Sequence, residues 1–389
     1  MAGYAGAERE HVAEIEIGIG KSGRRGYSLD EVTIVPSRRT RDADEVDASW
    51  QIDAYQFDLP VIAAAMDGVT SPSTAIQMGR LGGAGALHLE GLWCRHEDPA
   101  AELTRVVELD DDAALARLRE LHSHPVVPEL IGERVQQIRD GGATVCVAVS
   151  PSSTEALLEH IVRAEPDLLV IQGTVTSAEH VSDGAHPPLD LKHLVRRLEV
   201  PVLVGGCASY QAALHLMRTG AAGVLVGVGP GATSTTNGVL GVGNPQATAI
   251  ADARAARMRH LDETGVYVHV IADGGMSTGG DIAKAVVCGA DGVMLGSPLA
   301  RAAEAPAGGA IWSMASLHRT LPRGRFRRAA PVGPLEQVLL GPSERADGRT
   351  NLIGALRKSM AVTGHGTLKE LQKAELMVTA APTVRPGVQ

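Results

Sequence analysis

Eight short apolar runs, separated by segments of helical period, constrain this chain more than any other feature. In order they are Leu59–Ala65, Ala84–His88, Thr144–Ser150, Asp167–Gln172, Pro201–Gly206, Gly223–Gly229, Val266–Asp273 and Gly292–Ser297. Each is too short for a helix and is rich in Val, Ile, Leu or Ala, as expected of strands buried on both faces. Between them, Ser73–Leu81, Thr154–Arg163, Tyr210–Thr219, Thr248–Leu261 and Gly280–Cys288 place apolar residues three and four apart, which predicts helices. Alternating strands and helices imply a parallel sheet with right-handed crossovers, and eight such units imply a closed (β/α)8 barrel, the TIM barrel. An internal echo agrees with this. Thr219-Gly-Ala-Ala-Gly-Val-Leu-Val-Gly227 resembles Cys288-Gly-Ala-Asp-Gly-Val-Met-Leu-Gly296, with a fainter copy at Arg80–Leu87. Each reads as a helix that ends on a glycine and is followed by a strand.

Composition narrows the function classes. Hydrophobic residues make up 44% and charged residues 21% of 389, enough for a full core. Aromatics are only 3% and the net charge is −9, which argues against nucleic acid and anionic membrane as partners. The arginines at Arg38–Arg41 and Arg323–Arg328 read as solvated faces or phosphate-handling loops. Cys94, Cys146, Cys207 and Cys288 lack zinc or CxxC spacing, so neither a disulfide framework nor a structural metal is expected. The first twenty residues show no apolar signal core, and no run is long enough to span a bilayer, so a cytoplasmic protein is expected. Residues 1–26 read as an N-terminal arm, 27–379 as the barrel and 380–389 as a tail. Two long segments exceed a minimal barrel: a helical insertion at 97–139 and a flap region at 302–364, the latter expected to act as a lid.

In such a barrel the active site lies where the strands end. After the seventh and eighth runs come Asp273-Gly274-Gly275 and Gly296-Ser297, adjacent glycine corners whose backbone amides suit a phosphate. Asp273 would then reach ribose hydroxyls. After the sixth run, the loop Gly229–Asn237 joins a Gly-Pro-Gly corner to the hydroxyl residues Thr233, Ser234, Thr235 and Thr236, more than a turn requires. Asp67 reads equally as a core cap or a site carboxylate. His88 is at least as well explained as a buried structural histidine as a catalytic one.

These motifs resemble the IMP dehydrogenase/GMP reductase family. The resemblance runs from Tyr27-Ser-Leu-Asp-Glu-Val-Thr-Ile-Val-Pro36 and Pro60-Val-Ile-Ala-Ala-Ala-Met-Asp67 through Gly229-Pro-Gly231, Gly241-Val-Gly-Asn-Pro-Gln-Ala-Thr-Ala249 and Ile271-Ala-Asp-Gly-Gly275. It continues to Val293-Met-Leu-Gly-Ser297 and Asn351-Leu-Ile-Gly-Ala-Leu-Arg-Lys-Ser-Met360. The chain is most similar to the short actinobacterial branch without CBS domains. The resemblance implies a cytoplasmic homotetramer that binds a purine nucleoside monophosphate and uses NAD or NADP, with K+ as a further ligand. It implies that Met66 and Met314 pack on the purine, that Asp273 holds the ribose, and that Gly274, Gly275, Gly296 and Ser297 bind the phosphate. Gly229 and Gly231 would shape the catalytic loop and offer carbonyls to the cation. Gln172, Gly173, Gly241 and Gly243 would lie along the cofactor.

Departures from the family pattern bear on the chemistry. Where the family loop carries its catalytic cysteine, this chain has Ser234, followed by Thr235 and Thr236; where the family has a phosphate-binding serine, it has Ala232. An alcohol is a far weaker nucleophile than a thiolate unless a base activates it. Cys207, at the end of the fifth run, is the thiol best placed to substitute. The Arg-Tyr pair that activates water in the dehydrogenases is not visible, which tilts the expectation toward reduction. The function implied is therefore redox chemistry at purine C2. GMP-reductase-like deamination and nucleotide binding without turnover stand as alternatives.

Overall fold

The computed structural model describes residues 14–181 and 189–379. The tail at 380–389 and the first half of the arm lie outside the described residues. All eight runs form strands of one closed parallel barrel. They are β1 (Val61–Ala63), β2 (Ala84–His88), β3 (Cys146–Val149), β4 (Leu168–Gln172), β5 (Val202–Cys207), β6 (Gly223–Val226), β7 (His269–Asp273) and β8 (Gly292–Leu295). The barrel closes where Val293 of β8 pairs with Val61 of β1. Nearly every strand residue is buried, because the sheet is filled by side chains within and covered by helices outside.

The predicted helices appear as α1 (Pro72–Arg80), α5 (Thr154–Ala164), α7 (Tyr210–Met217), α9 (Gln246–Thr264) and α10 (Gly279–Cys288). The glycine corners behave as the echo implies. Gly82, Gly220 and Gly289 follow α1, α7 and α10 with φ of +88°, +97° and +127°, where L-residues are strained. A further short helix, α6 (Leu191–Arg197), lies between β4 and β5.

The two long segments divide in ways the sequence does not announce. Within 97–139, α2 (Pro99–Glu108) and α3 (Asp111–Leu121) are the true insertion. The third helix, α4 (Pro128–Asp140), packs on α1 and α5 and belongs to the barrel's outer ring. The segment 302–364 likewise holds two kinds of element. Its flap centres on a hairpin pairing Ala310–Ile311 with Arg327–Arg328, whereas α11 (Leu352–Val362) packs on α10 as the barrel's last helix. Insertion and flap share a second hydrophobic cluster, in which Leu103, Leu118 and Leu121 meet Trp312, Leu317 and Phe326. Arg328 ties them further, donating to the Val107 carbonyl at 2.6 Å and pairing with Asp111 at 2.9 Å.

The amino-terminal mouth of the barrel is plugged. A hairpin of Trp50–Ile52 and Tyr55–Phe57 sets Trp50 so close under β8 that a Cβ on Gly292 would lie 2.6 Å from its ring. Beside it Asp291, 3% exposed, pairs with Arg257 at 2.8 Å and accepts from the Val270 amide. Burial pushes the Asp291 carboxyl up, but Arg257 and Lys369 outweigh that and hold it below its ordinary value. The opposite, carboxyl-terminal mouth stays open under the flap.

Candidate active site

That open mouth is a cleft of about 1850 Å³. Its walls come from the loops after the strands, as the fold requires. Of the residues expected to bind substrate, Met66, Asp273, Gly274, Gly275, Gly296, Ser297 and Met314 all line it. Gly274 and Gly275 have φ of +78° and +79°, two successive left-handed residues that only glycine adopts cheaply. The β6 loop lies against them, so a Cβ on Gly274 would sit 3.1 Å from the Gly231 nitrogen. Across the cleft a Cβ on Gly296 would sit 3.0 Å from the Met66 sulfur. The glycines thus let the β6 and β7 loops, and the β8 and β1 loops, approach closely.

Asp273 ends β7 at the floor of the cleft. Gln172, at the end of β4, donates from Nε2 to Asp273 Oδ2 at 2.7 Å across the barrel mouth. Gln172, expected along a cofactor, lines the cleft with its amide engaged by the Asp273 carboxylate. Burial pushes the Asp273 carboxyl up to about 6, and the Gln172 hydrogen bond pulls the other way.

Ser234 and Thr236 line the cleft, but Thr235 does not. The Ser234 hydroxyl accepts from the Thr236 amide at 3.2 Å and donates to the Thr236 hydroxyl at 3.1 Å. Among the described residues, these are the hydrogen bonds of that hydroxyl, so no imidazole or carboxylate is in place to activate it. Thr235 instead fastens the flap, its amide donating to the Arg323 carbonyl at 3.1 Å, while the Arg325 amide donates to the Thr233 carbonyl at 2.9 Å. Gly324 sits between these bonds, where a Cβ would lie 2.3 Å from the Ser316 hydroxyl. The loop and the flap are therefore zipped together by backbone.

Cys207 does not meet the cleft. It is 1% exposed in the core, and burial pushes its thiol up to about 12. A thiol so placed is neutral and unreachable, which removes it as the substitute nucleophile. The β5–β6 register shifts between Gly205 and Cys207, so the period of two is interrupted just before the cysteine.

Of the residues expected along a cofactor, Gly173, Gly229, Gly231 and Gly243 line the cleft. Gly241 does not; it ends the short helix α8 (Thr236–Leu240) with φ of +68°. The Gly231 carbonyl accepts the Ser234 amide at 2.9 Å.

Asp67 is resolved as a core cap. It is 3% exposed, accepts the Leu92 amide at 2.9 Å and meets the His122 imidazole at 3.0 Å. His122 caps the end of α3, so this contact seats the insertion on the barrel. His88 lines the cleft with its Nδ1 buried and unpartnered among the described residues, and burial holds its pKa below the ordinary value. Sequence reasoning missed the lining residues His122 and Glu90. They reach the cleft through tertiary packing and carry no local motif.

Comparison with known proteins agrees with this geometry. A profile of the IMP dehydrogenase / GMP reductase domain matches residues 26–321. An uncharacterized oxidoreductase of Mycolicibacterium smegmatis is 52% identical over 94% of this chain and 99% of its own length. An inosine-5'-monophosphate dehydrogenase of Methanocaldococcus jannaschii is 25% identical over 92% of this chain and 94% of its own. Among solved structures, an IMP dehydrogenase/GMP reductase-like protein of Corynebacterium glutamicum has a TM-score of 0.89. It is 46% identical, over 94% of this chain and 98% of that one. Among the described residues no helix is long and apolar enough to cross a membrane. The barrel, the glycine cradle beside Asp273 and the matching profile together place the chain in the IMP dehydrogenase/GMP reductase family of oxidoreductases.

Proposed function

We propose that the cleft binds a purine nucleoside 5′-monophosphate and that the protein performs redox chemistry at purine C2 with NAD or NADP. The observation that supports this reading is the convergence of Asp273, the Gly274–Gly275 and Gly296–Ser297 corners, Met66 and Met314 on one rim. In it the two methionines flank the base, ionised Asp273 accepts from the ribose hydroxyls, and the glycine corners hold the phosphate. Gln172 keeps one Asp273 oxygen aligned from across the mouth. A ligand pocket is typically about 300–1,000 Å³. The cleft, at about 1850 Å³, has room for a second molecule beside the nucleotide. Gly173, Gly229, Gly231 and Gly243 offer that second molecule backbone walls without side chains. A bound nicotinamide cofactor would supply or accept the hydride. The Thr233–Thr235 loop, fastened to the flap, would keep water from the reacting carbon.

Reduction is the direction favoured. Reductive deamination of GMP adds hydride to C2, takes up two protons and releases the 2-amino group as ammonium, with NADPH oxidised to NADP. It needs no activated water, in keeping with a flap that lacks the Arg-Tyr pair. Ser234 stands at the nucleophile position without a base, which favours direct hydride transfer over a covalent intermediate. The same observation supports a second reading, nucleotide binding without turnover. Absorbance of reduced nicotinamide, followed with IMP plus NAD and with GMP plus NADPH, separates them. Turnover that disappears in Asp273→Ala supports the enzyme. Nucleotide binding with no turnover in either mixture supports the binding protein, and no binding of any purine nucleotide rejects both.

A further inference from the structure

Gln172 ends β4 and Asp273 ends β7, two strands that are not neighbours in the barrel. Their side chains meet across its mouth, Gln172 Nε2 donating to Asp273 Oδ2 at 2.7 Å. Both residues are anchored by backbone. Gln172 pairs with Gly205 of β5, and the next amide, that of Gly173, donates to the Gly205 carbonyl at 2.8 Å. Asp273 pairs with Met294 of β8, and its carbonyl accepts from Gln246 Nε2 at 3.3 Å. The bond therefore joins two strand ends, not two loops. It also fixes the amide. A side-chain amide nitrogen carries two hydrogens, and Nε2 lies 3.9 Å from the Met294 sulfur as well as beside the carboxylate. Turning the amide over would set its oxygen against an ionised carboxylate.

A ribose presents two hydroxyls on adjacent carbons. A carboxylate grips such a pair best with one hydroxyl on each oxygen, as it grips the parallel N–H groups of an arginine. Here Oδ2 is taken before any ligand arrives. Asp273 is half-buried, so the Gln172 amide stands over one of the few approaches to that oxygen. An oxygen can accept twice. A second bond to Oδ2 returns less, because the Gln172 bond already stabilises its charge and pulls the carboxyl down against burial. Among the described residues no side chain donates to Oδ1, which is left for the ligand.

We propose that Gln172 sets the sugar specificity of the cleft: it makes Asp273 a reader of one ribose hydroxyl rather than two, so that a deoxynucleoside 5′-monophosphate is accepted as well as the ribonucleotide. This role rests on the reading of the cleft as a purine nucleotide site with Asp273 at the ribose. Gln172 acts through the carboxylate, as a positioning residue, and has no need to touch the nucleotide.

Calorimetry with GMP and its 2′-deoxy and 3′-deoxy counterparts tests this, using the native protein, Gln172→Ala and Gln172→Ser. Both substitutions withdraw the side chain from Oδ2, and serine keeps a polar group at the strand end should alanine fail to fold. The native protein is expected to bind one deoxy form within about threefold of GMP. It should bind the other at least about tenfold more weakly, the worth of one charge-assisted contact. In the variants Oδ2 is free, so both deoxy forms should fall at least about tenfold below GMP. A merely structural role for Gln172 would weaken all three ligands alike and leave their ratios unchanged, which overturns the proposal. Native protein that discriminates against both deoxy forms also overturns it, and leaves the nucleotide reading standing. Equal native binding of all three takes Asp273 away from the ribose, and no binding of any rejects the nucleotide; the proposal falls with either.

Discussion

Burial pushes the Asp273 carboxyl up to about 6 from its ordinary 3.8, against the hydrogen bond from Gln172. The fold thus favours the protonated acid. Its contribution to the stability of the ligand-free protein is full below 3.8 and is lost as pH rises through about 6. Ligand binding has the opposite dependence, because ribose hydroxyls bond more strongly to a charged acceptor. Affinity should therefore rise through pH 6 and level off above it. The phosphate of a nucleotide also ionises near pH ~6, so unphosphorylated guanosine is the cleaner probe. Calorimetry should show guanosine binding that strengthens with pH in the native protein and is flat in Asp273→Asn; flat binding in both would remove Asp273 from the ribose. The nucleophile position gives a second residue-scale prediction. Ser234→Cys places a thiol of pKa about 8.5 in the cleft, a few per cent of it ionised at neutral pH. It should raise turnover in the nicotinamide assay and make the protein sensitive to iodoacetamide, with nucleotide protecting. Cys207→Ser should instead leave turnover per folded molecule unchanged and cost about 1–3 kcal/mol in urea unfolding, the penalty of a buried hydroxyl left without a partner. A loss of turnover in that variant without a loss of stability would return Cys207 to the chemistry.

Elements set by local periodicity were legible in the sequence. The strands needed only runs of Val, Ile, Leu and Ala, and the corners at Gly82, Gly220 and Gly289 needed only a residue tolerant of positive φ. The corner at Gly274 and Gly275, both with positive φ, was legible for the same reason. What depends on the phase of a strand, or on contacts far apart in sequence, was not. The register shift in β5 precedes a Cys207 that is buried, and the hydrogen bond from Gln172 to Asp273 spans more than a hundred residues with no local sign. Nor did helical period distinguish α4, which completes the barrel, from α2 and α3, which support the flap. That support is open to test. Leu118 of α3 is fully buried in the cluster with Trp312 and Phe326, whose rings stack at 5.8 Å. Leu118→Ala should cost about 2–5 kcal/mol locally. Hydrogen exchange should then quicken across Ala310–Arg328 and in α2 and α3 while the barrel strands keep their protection. If exchange quickens uniformly through the barrel, insertion and flap do not form a separate cooperative unit.

At the scale of the whole molecule, the described surface carries apolar side chains that a lone barrel does not need. A hairpin of Glu14–Gly18 and Lys21–Arg24 is held to α9 by an ion pair of 2.6 Å between Arg24 and Asp252. Along it Ile15, Ile17 and Ile19 are 51%, 72% and 103% exposed. Ile15 and Ile17 lie two apart on one strand, whose register shifts between Glu16 and Gly18. Near the cleft, Val239, Leu240 and Val242 are also more than 40% exposed. Clusters of this kind mark surfaces that are covered in an assembly. We propose that they are covered by other copies of the chain, in the homotetramer that the family resemblance implies. Light scattering coupled to size exclusion should give a mass four times the 40.5 kDa of one chain. Placing a charge on each side of the hairpin face, as Ile15→Asp with Ile17→Asp, should shift the population toward smaller species, because a carboxylate buried at an interface without a partner is strongly disfavoured. The barrel itself makes no use of these residues, so the circular dichroism and thermal unfolding of the dissociated species should report an intact fold. A native protein that elutes at the mass of a single chain at micromolar concentration would refute the assembly, and an unchanged tetramer in the double variant would place its interfaces elsewhere.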